Sequence, residues 1–370
     1  MTLQKNRSAV KGVRWLAKLI TRFQKLPSRM TPAPFQLLEI SSQFWKSRAL
    51  YTAAHLDIAT ILDDKTLPID ALAQQTKCDP NYLYRVLRML ASIGIFNETS
   101  PKHFANNEVS VYLGRHENSV RSMIMMHHSA EMTAPWFDTF NDGLEKSQAP
   151  FELKHGVPLF EYMDQNKEFD ELFSQAMDEV EAIGSDSFAT DFNWDSFDRL
   201  IDLGGSKGSK ALAILRSTSN INALVVDREH ITNQARNYWK GKESDSIVNR
   251  LTFESGDITE HIPPSESNKD IYFLCGVLHA FNDESASKIL SKVSAQCHIT
   301  GAKLAVMDLI VPSVDADFMS CSFDLQMMMG TSGLERTAEQ WGSLFATNNL
   351  VVEETIQLRP FGNIMVVGTK

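Results

Sequence analysis

The stretch LIDLGGSKGSKALAIL, residues 200–215, decides the fold of this chain. Its apolar start contains an acid, Asp202, and is followed by Gly204, Gly205 and Gly208. The residues after the glycines have the apolar spacing of a helix. A buried strand that runs through a glycine-rich turn into a helix is typical of a parallel sheet. Glycines in such a turn let a ligand approach the main chain closely.

The same alternation continues to the end of the chain. Apolar runs of strand length, such as NALVVD, IYFLCG and AKLAVMD, are separated by helical stretches. The last two runs, LVVEETIQL and NIMVVGTK, are joined by PFGN and predict an antiparallel hairpin at one edge. Strands that alternate with helices predict an α/β fold with a mostly parallel sheet covered on both faces. We assign residues 191–370 to this Rossmann-like domain.

The bulk composition is that of an ordinary soluble globular protein. The 370 residues are 43% hydrophobic and 22% charged, with a formal net charge of −10. The negative charge argues against broad binding to nucleic acid. The cysteines, Cys78, Cys275, Cys297 and Cys321, form no CxxC pair, which predicts neither a zinc site nor a disulfide framework. We expect a cytoplasmic protein with no metal and no nucleic-acid partner.

The first 34 residues form a basic arm that differs from the rest of the chain. Before the first acid, Glu39, come Lys5, Arg7, Lys11, Arg14, Lys18, Arg22, Lys25 and Arg29. From Lys11 onward these residues recur every three or four positions, which predicts one stripe of an amphipathic helix. Three roles fit such an arm. It can pack on the acidic body or on a partner subunit, contact an anionic membrane surface through residues 5–29, or act as a presequence.

Residues 35–115 predict a mainly helical domain, and residues 116–190 a second helical region that links to the sheet. In the first region, helices are followed by IFNETSPKHFANNE, which predicts two short strands about a turn. Helix, turn, helix and hairpin is the winged-helix pattern. Its second helix, NYLYRVLRMLASIG, carries Arg85 and Arg88 but is otherwise mostly apolar. This composition favours a core or a dimer interface over the groove of DNA.

The motifs that the sequence lacks narrow the choice of ligand for the glycine turn. A phosphate loop needs GxxxxGK[ST], and a dinucleotide site needs GxGxxG, which Ser206 and Ser209 break. A second acid, Asp227, ends the next predicted strand, where a carboxylate can accept both hydroxyls of a ribose. Asp202 would repel a phosphate but attract an ammonium group. A ligand with adenosine, an ammonium group and no phosphate is S-adenosylmethionine (SAM). The alternative is a plain strand–helix turn.

These motifs together resemble one family. The chain is similar to the two-domain small-molecule O-methyltransferases of plants, fungi and bacteria over roughly residues 35–370. The likeness includes PFELKHGVPLFEYM, DLGGSKG, VVD, SGDI, VLHAFNDE, GAKLAVMD and GLERTAEQW. It implies a winged-helix dimerisation domain, a SAM-binding Rossmann-like domain and a homodimer.

The resemblance also implies roles for residues around the cofactor. Gly204 and Gly205 would contact the methionine end of SAM, and Asp227 would hold its ribose. Asp257, with Ile258 beside it, would lie against the adenine. Cys275 occupies a position where many members have a lysine near the cofactor.

For catalysis, the resemblance makes His279 in VLHAFNDE the general base, at the end of the fourth strand of the predicted sheet. A histidine within hydrogen-bond reach of a hydroxyl can take its proton as the bond to carbon forms. Asp308 and Glu335 would match the acids that orient this histidine. The chain departs from the family where most members read LHDW, because Ala280 replaces an acid and Phe281 a tryptophan. Ser206 also replaces a usual glycine, and Asp308 a common glutamate.

We therefore expect a SAM-dependent O-methyltransferase that acts on a hydroxyl of a small aromatic or polyketide-like molecule. Two alternatives stay open: an enzyme of the same fold that hydroxylates, decarboxylates or rearranges its substrate, and a winged-helix regulator that senses SAM. Helices within residues 35–62 carry more apolar surface than one subunit easily covers, which favours a homodimer. The residues expected to line the substrate pocket are Trp136, Phe140, Met163, Phe323, Met327 and Met328.

Overall fold

The computed structural model describes residues 2–24, 31–116, 118–359 and 362–370. The chain forms two compact units, which we call the helical unit (Arg22–Gly184) and the sheet unit (Met1–Thr21 with Ser185–Lys370). Lys25 and Arg29 of the basic stripe and the first half of the PFGN turn lie outside the described residues. None of the described helices is both long enough and apolar enough to cross a membrane.

Helices make up most of the chain before residue 185. In chain order the described helices are α1 (Arg7–Gln24), α2 (Ala33–His55), α3 (Ile58–Leu62), α4 (Ile69–Thr76), α5 (Pro80–Ser92), α6 (Arg121–His127), α7 (Ala130–Asp138), α8 (Phe140–Lys146), α9 (Pro150–His155), α10 (Leu159–Gln165) and α11 (Lys167–Ile183). A small antiparallel sheet, in the order β1-β3-β2, contains β1 (Leu67–Pro68), β2 (Asn97–Ser100) and β3 (His103–Ala105). The hairpin of β2 and β3 after α5 agrees with the winged-helix prediction.

Local signals explain where α5 begins and which side it buries. The Asp79 carboxylate accepts hydrogen bonds from the main-chain N–H groups of Asn81 and Tyr82, and Pro80 takes the first helical position. The helix therefore starts at the turn formed by Asp79, Pro80 and Asn81. Its apolar stripe packs into the core of the helical unit through Leu83, Leu87 and Leu90.

The sheet unit is built on seven strands in the order β6-β5-β4-β7-β8-β10-β9. The strands are β4 (Arg199–Leu203), β5 (Asn222–Asp227), β6 (Leu251–Ser255), β7 (Asp270–Cys275), β8 (Lys303–Met307), β9 (Leu350–Gln357) and β10 (Asn363–Thr369). The first five strands pair in parallel, and β10 runs antiparallel to β8 and β9. This is the predicted α/β class, with the predicted antiparallel pair at one edge.

Helices cover both faces of the large sheet. In chain order the helices of this unit after α1 are α12 (Ser187–Asp191), α13 (Ser209–Ser217), α14 (Glu229–Tyr238), α15 (Asp245–Val248), α16 (Asp283–Thr300), α17 (Phe318–Thr331) and α18 (Ala338–Thr347). Alternate residues of β4 enter opposite cores, because Leu200 packs with α13 on one face and Ile201 with α16 and α18 on the other. With both faces buried, the carboxyl ends of the parallel strands remain as the edge where a ligand can bind.

The amino-terminal arm is hydrogen-bonded to the sheet unit. The Gln4 side chain exchanges two hydrogen bonds with the main chain of Gln357 on the edge strand β9, at 2.8 and 3.0 Å. The Arg14 guanidinium donates to the carbonyl oxygens of Leu358 and Gly362. These contacts correspond to the first of the three predicted roles, packing on the protein's own body. Contact with a membrane stays a prediction.

Candidate active site

The glycine loop after β4 has a backbone that few residues other than glycine adopt. Gly204 has φ of +74° and Gly208 has φ of +79°. Gly205 is required for another reason, since a Cβ there would lie 2.5 Å from Oδ2 of Asp202. Ser206, at the position of the usual third glycine, also has a positive φ of 51°. The serine is therefore held in the left-handed conformation that disfavours L side chains.

Asp227 at the end of β5 is fixed against this loop. One carboxylate oxygen accepts a hydrogen bond from the main-chain N–H of Ser206 at 2.8 Å, and the other accepts from the N–H of Arg228 at 2.7 Å. On the far side of the loop, the indole of Trp239 donates to the carbonyl of Lys207 at 2.7 Å. The partly buried carboxylate keeps lone pairs for hydroxyl donors such as those of a ribose.

The other residues predicted near the cofactor lie at or just beyond the carboxyl ends of β6 and β7. Ile258 reaches it, because its Cδ1 would lie 3.6 Å from a Cβ added at Gly204. Asp257 precedes it, and its Oδ1 accepts hydrogen bonds from the main-chain N–H and the hydroxyl of Thr259, at 2.8 and 2.7 Å. Cys275 ends β7 and is partly buried.

His279 lies in a 3₁₀ turn, Leu278–Ala280, just beyond β7. Its Nδ1 lies 2.7 Å from Oε1 of Glu335, whose side chain is fully buried. An ionised carboxylate accepts the proton of Nδ1, which leaves Nε2 as the basic nitrogen of the neutral ring. Asp308, directly after β8, is also buried. The structure thus brings together the three residues that the sequence places far apart.

Burial and charge act in opposite directions on these groups. Burial lowers the pKa of His279, but the hydrogen bond of Glu335 and the negative charges of Asp308 and Glu335 outweigh it, so the pKa is raised. For Asp308, burial raises the pKa to about 7, although the charge of His279 opposes this. The imidazole of His279 is therefore protonated more readily in this site than it would be in water.

The His279 turn adjoins the glycine loop. A Cβ added at Gly204 would lie 3.0 Å from Cγ2 of Val277, which directly precedes the turn. The predicted cofactor loop and the predicted base therefore share one edge of the sheet. This agrees with the expected position of His279 at the end of the fourth strand, since the carboxyl ends of parallel strands lie at one edge of the sheet.

Sequence reasoning missed two residues in the loop that holds Glu335. Gly333 packs against the main chain of the His279 turn, and a Cβ there would lie 2.1 Å from the carbonyl oxygen of His279. Arg336 is fully buried and bonds the same turn. No local sequence pattern marks either residue, because the burial of Arg336 and the close packing of Gly333 are seen only in the structure.

The predicted pocket residues are divided between the two units. In the helical unit, the rings of Trp136 and Phe140 stack with centroids 5.0 Å apart, and Met163 is buried. In the sheet unit, α17 carries Phe323, exposed by 40%, and the partly buried Met327 and Met328. Their place in one pocket stays a prediction.

Two family models match the chain. The O-methyltransferase domain model matches residues 137–349, and the O-methyltransferase dimerisation domain model matches residues 38–115. The chain belongs to the O-methyltransferase family. The resemblance inferred from the sequence motifs is therefore confirmed, and so are the fold class and the class of enzyme.

The relatives are distant in sequence. The phenazine O-methyltransferase PhzM of Lysobacter antibioticus is 28% identical, over 86% of this chain and 92% of its own. The phenazine-1-carboxylate N-methyltransferase of Pseudomonas aeruginosa is 26% identical, over 90% and 96%. The crystal structure of human N-acetylserotonin methyltransferase in complex with SAM has a TM-score of 0.79 at 20% identity, over 92% of this chain and 99% of that one. The last similarity supports the fold alone.

SAM is the cofactor of this O-methyltransferase, and the glycine loop fits it. The loop packs the Asp202 carboxylate against Gly205 and Val277 against Gly204, which only residues without a side chain allow. Asp202 and Asp227 flank the loop with carboxylates, which suits a ligand with an ammonium group and ribose hydroxyls and would repel a phosphate. These four residues would hold the cofactor at the edge next to the His279 turn.

Proposed function

We propose that the chain methylates a hydroxyl group of a small aromatic or polyketide-like molecule, with His279 as general base. The observation that carries the proposal is the 2.7 Å contact between His279 and Glu335, in a turn that adjoins the glycine loop. A base oriented by a buried carboxylate, next to the methyl donor, is the arrangement that activates a hydroxyl nucleophile.

The chain's residues supply proton transfer and alignment in this reaction. SAM, when bound, supplies a methyl group on a positively charged sulfur, from which an oxygen nucleophile displaces it. A phenol has a pKa of about 10 and a histidine about 6.5, so a phenol passes little of its proton to an ordinary histidine. The raised pKa of His279 narrows this difference. General-base catalysis of this kind typically contributes about 10²–10⁴-fold.

Glu335 and Asp308 serve the base in different ways in this proposal. Glu335 fixes the ring orientation and stabilises the imidazolium that forms when His279 takes the proton. Asp308, with a pKa of about 7, is divided between its neutral and ionised forms near neutral pH. Its charge would respond to the proton on His279, since the two groups interact.

A homodimer is proposed as the working form. Within the dimerisation domain, α2 exposes large apolar side chains that a partner subunit would cover. Their exposed fractions range from 47% to 70% for Leu37, Leu38, Ile40, Phe44 and Trp45. Sedimentation velocity of the wild type against Leu38→Glu would test this, with a single monomeric species in both samples as the contrary result.

An amine is the acceptor that the relatives favour as the alternative to a hydroxyl. The Pseudomonas aeruginosa relative is named as an N-methyltransferase. A neutral amine carries its own lone pair and needs no base to attack. In that case the loss of His279 would change the rate far less than for a hydroxyl acceptor.

The test uses methyl-labelled SAM. We would incubate it with the protein and a small-molecule extract of the producing cells, and compare the wild type with His279→Ala. His298→Ala is the matched control, because His298 is exposed on α16. We expect labelled product with the wild type and with His298→Ala, and a loss of about 10²-fold or more with His279→Ala.

Each outcome has a separate meaning. Equal label with wild type and His279→Ala would keep methyl transfer but reject the base, and product analysis would then distinguish an oxygen from a nitrogen acceptor. If S-adenosylhomocysteine binds but no label is transferred, the proposed methylation is wrong and the non-methylating alternative gains support.

We propose that the basic arm packs on the sheet unit and stabilises it, which the hydrogen bonds of Gln4 and Arg14 support. Sedimentation with anionic liposomes, of the full-length chain against a chain that begins at Thr31, would test membrane contact. Equal sedimentation of the two proteins would exclude a lipid role for the arm.

A further inference from the structure

Residues 333–336, which we call the 333–336 loop, contact the His279 turn at three kinds of site. Glu335 bonds the imidazole ring, as described above. Gly333 packs on the main chain, where a Cβ would lie 2.1 Å from the carbonyl oxygen of His279 and 2.9 Å from the Cα of Ala280. Arg336 bonds the carbonyl groups on either side of these two residues. One short loop therefore holds both the ring and the backbone that carries it.

The contacts of Arg336 are specific to its forked guanidinium. Nη1 donates to the carbonyl oxygen of Leu278 at 2.9 Å, and Nη2 donates to that of Phe281 at 2.8 Å. Nε donates to Oδ1 of Asp283, also at 2.9 Å, at the start of α16. The face of the guanidinium lies 5.0 Å from the ring centroid of Trp341. The side chain of Arg336 is fully buried, so these partners replace water completely.

We propose that Arg336 is a positioning residue, which fixes the His279 turn so that the imidazole meets Glu335. This inference rests on the proposed function only for the catalytic role of the His279 turn. The way in which Arg336 holds the turn does not depend on that function. A turn bonded at Leu278 and Phe281 cannot rotate about its own axis without breaking a charge-assisted hydrogen bond. The His279 ring then keeps its 2.7 Å contact with Glu335.

The same contacts account for the departure of this chain from the LHDW pattern. Arg336 bonds main-chain carbonyl oxygens and makes no use of the side chains of Ala280 or Phe281. The bonds to the turn therefore do not depend on the side chains at positions 280 and 281. On this view Ala280 does not by itself imply a disordered base or a different reaction.

The test measures the pKa of His279 by NMR in protein with labelled histidine, which requires no knowledge of the acceptor. The His279→Asn variant identifies the signal. The charged groups that act on the ring are Glu335 and Asp308, and the charge of Arg336 acts on Asp308. Because the loss of a cation would itself raise the pKa, the variant is Arg336→Lys, which keeps the charge but loses the fork.

We expect Arg336→Lys to lower the pKa of His279 by about half a unit or more, since a loosened turn weakens the bond to Glu335. The matched control is Arg250→Lys. Arg250 likewise donates to carbonyl groups, those of Leu215, Thr218 and Ile221, at the opposite edge of the sheet. Arg250→Lys should leave the pKa of His279 unchanged, even if it lowers the melting temperature as much as Arg336→Lys does.

A double-mutant cycle separates positioning from direct electrostatics. In a Glu335→Gln background, Arg336→Lys should no longer shift the pKa of His279, because the bond that it aligns is already gone. An equal shift in both backgrounds would overturn the proposal. So would an unchanged pKa in folded Arg336→Lys.

A second variant covers the case in which Arg336→Lys does not fold. Asp283→Asn removes the charge of the third partner, whose side chain is 64% exposed, and leaves both carbonyl bonds in place. Because the lost negative charge would itself lower the pKa, the shift is compared in the wild-type and Glu335→Gln backgrounds. A smaller shift in the same direction that disappears in Glu335→Gln supports the proposal, and no shift, or an equal shift in both backgrounds, overturns it. S-adenosylhomocysteine affinity should stay within about twofold of wild type in each folded variant. If His279→Ala proves fully active, the base is wrong, but these pKa shifts still test the positioning.

Discussion

The glycine loop and the His279 turn lie at the same edge of the sheet but are specified in different ways. The loop is set by its own residues, through the positive φ of Gly204 and Gly208 and the space that Gly205 leaves beside Asp202. The turn is held by Glu335 and Arg336, which lie 56 and 58 positions away from their partners in the chain. Contacts that are close in sequence shape the proposed cofactor loop, whereas the proposed catalytic turn depends on contacts that are distant in sequence.

This difference predicts that damage in the loop acts on cofactor binding. In Gly205→Ala the new Cβ would meet Oδ2 of Asp202 at 2.5 Å and Cγ1 of Val225 at 2.9 Å, so the strand end or the loop must move. We expect a loss of about 100-fold in affinity for S-adenosylhomocysteine, measured by calorimetry, from overpacking of about 3 kcal/mol.

Gly342→Ala is the control for this substitution. A Cβ at Gly342, inside α18, has open space around it. Alanine there should favour the helix slightly and leave the affinity unchanged. If Gly205→Ala binds as tightly as wild type, the loop is not the cofactor cradle.

Damage around the His279 turn should act on the chemical step instead. Burial lowers the pKa of His279, while Glu335 and Asp308 raise it. In Glu335→Gln the pKa should fall towards its ordinary value, so the acid limb of the kcat profile moves to lower pH. The plateau of kcat should fall by about 10–100-fold because the imidazolium loses its partner, with S-adenosylhomocysteine affinity unchanged.

The measurement is the pH dependence of kcat with the acceptor found by the labelling experiment. Glu339→Gln, an exposed carboxylate on α18, is the matched control and should keep the wild-type profile. An acid limb that stays at the same pH in Glu335→Gln would mean that it reports some other group.

The same contrast explains what could be predicted from the sequence. The strand, the glycine turn and Asp227 could be predicted because strand, turn and helix signals fall within a few tens of residues. His279, Asp308 and Glu335 were named only through the family resemblance. No local pattern shows that β7, β8 and the 333–336 loop place them together, because their proximity depends on strand order.

Arg336 and Gly333 were missed for a further reason. Their partners are main-chain carbonyl groups, which every residue has, so the identities of Leu278 and Phe281 carry no signal.

The predicted pocket was limited by an ambiguous signal rather than by a missing one. Large apolar residues such as Met327 are typical of a pocket wall, but the same residues also fill cores, and composition does not separate the two.

A third variant concerns stability rather than catalysis. Burial raises the folded-state pKa of Asp308 to about 7, above its ordinary value of 3.8. Such a group stabilises the fold fully below its unfolded pKa, and this contribution is lost as the pH rises to the folded pKa. The wild type should therefore lose stability between about pH 4 and pH 7, whereas the asparagine of Asp308→Asn does not titrate. The melting temperature of Asp308→Asn relative to wild type should rise by a few degrees across this range and stay constant above pH 7.

Thermal melts across this range check the prediction. Asp315→Asn, on an exposed loop, is a suitable control and should follow the wild type at every pH. A constant difference between Asp308→Asn and wild type across the range would mean that Asp308 titrates as an ordinary carboxyl group in the folded protein.

The smallest effect is expected at Ser206, the departure from the family inside the glycine loop. Its φ of +51° costs an L residue about 1 kcal/mol, which Ser206→Gly would relieve in the folded state, while the more flexible unfolded chain offsets part of the gain. We therefore expect affinity for S-adenosylhomocysteine to change by about twofold or less. Ser147→Gly, which also replaces a serine at positive φ, 52°, but in the helical unit, controls for the backbone effect alone. A gain above tenfold for Ser206→Gly, with none for Ser147→Gly, would show that the serine side chain obstructs the cofactor. The loop would then depend on its side chains as well as on its backbone.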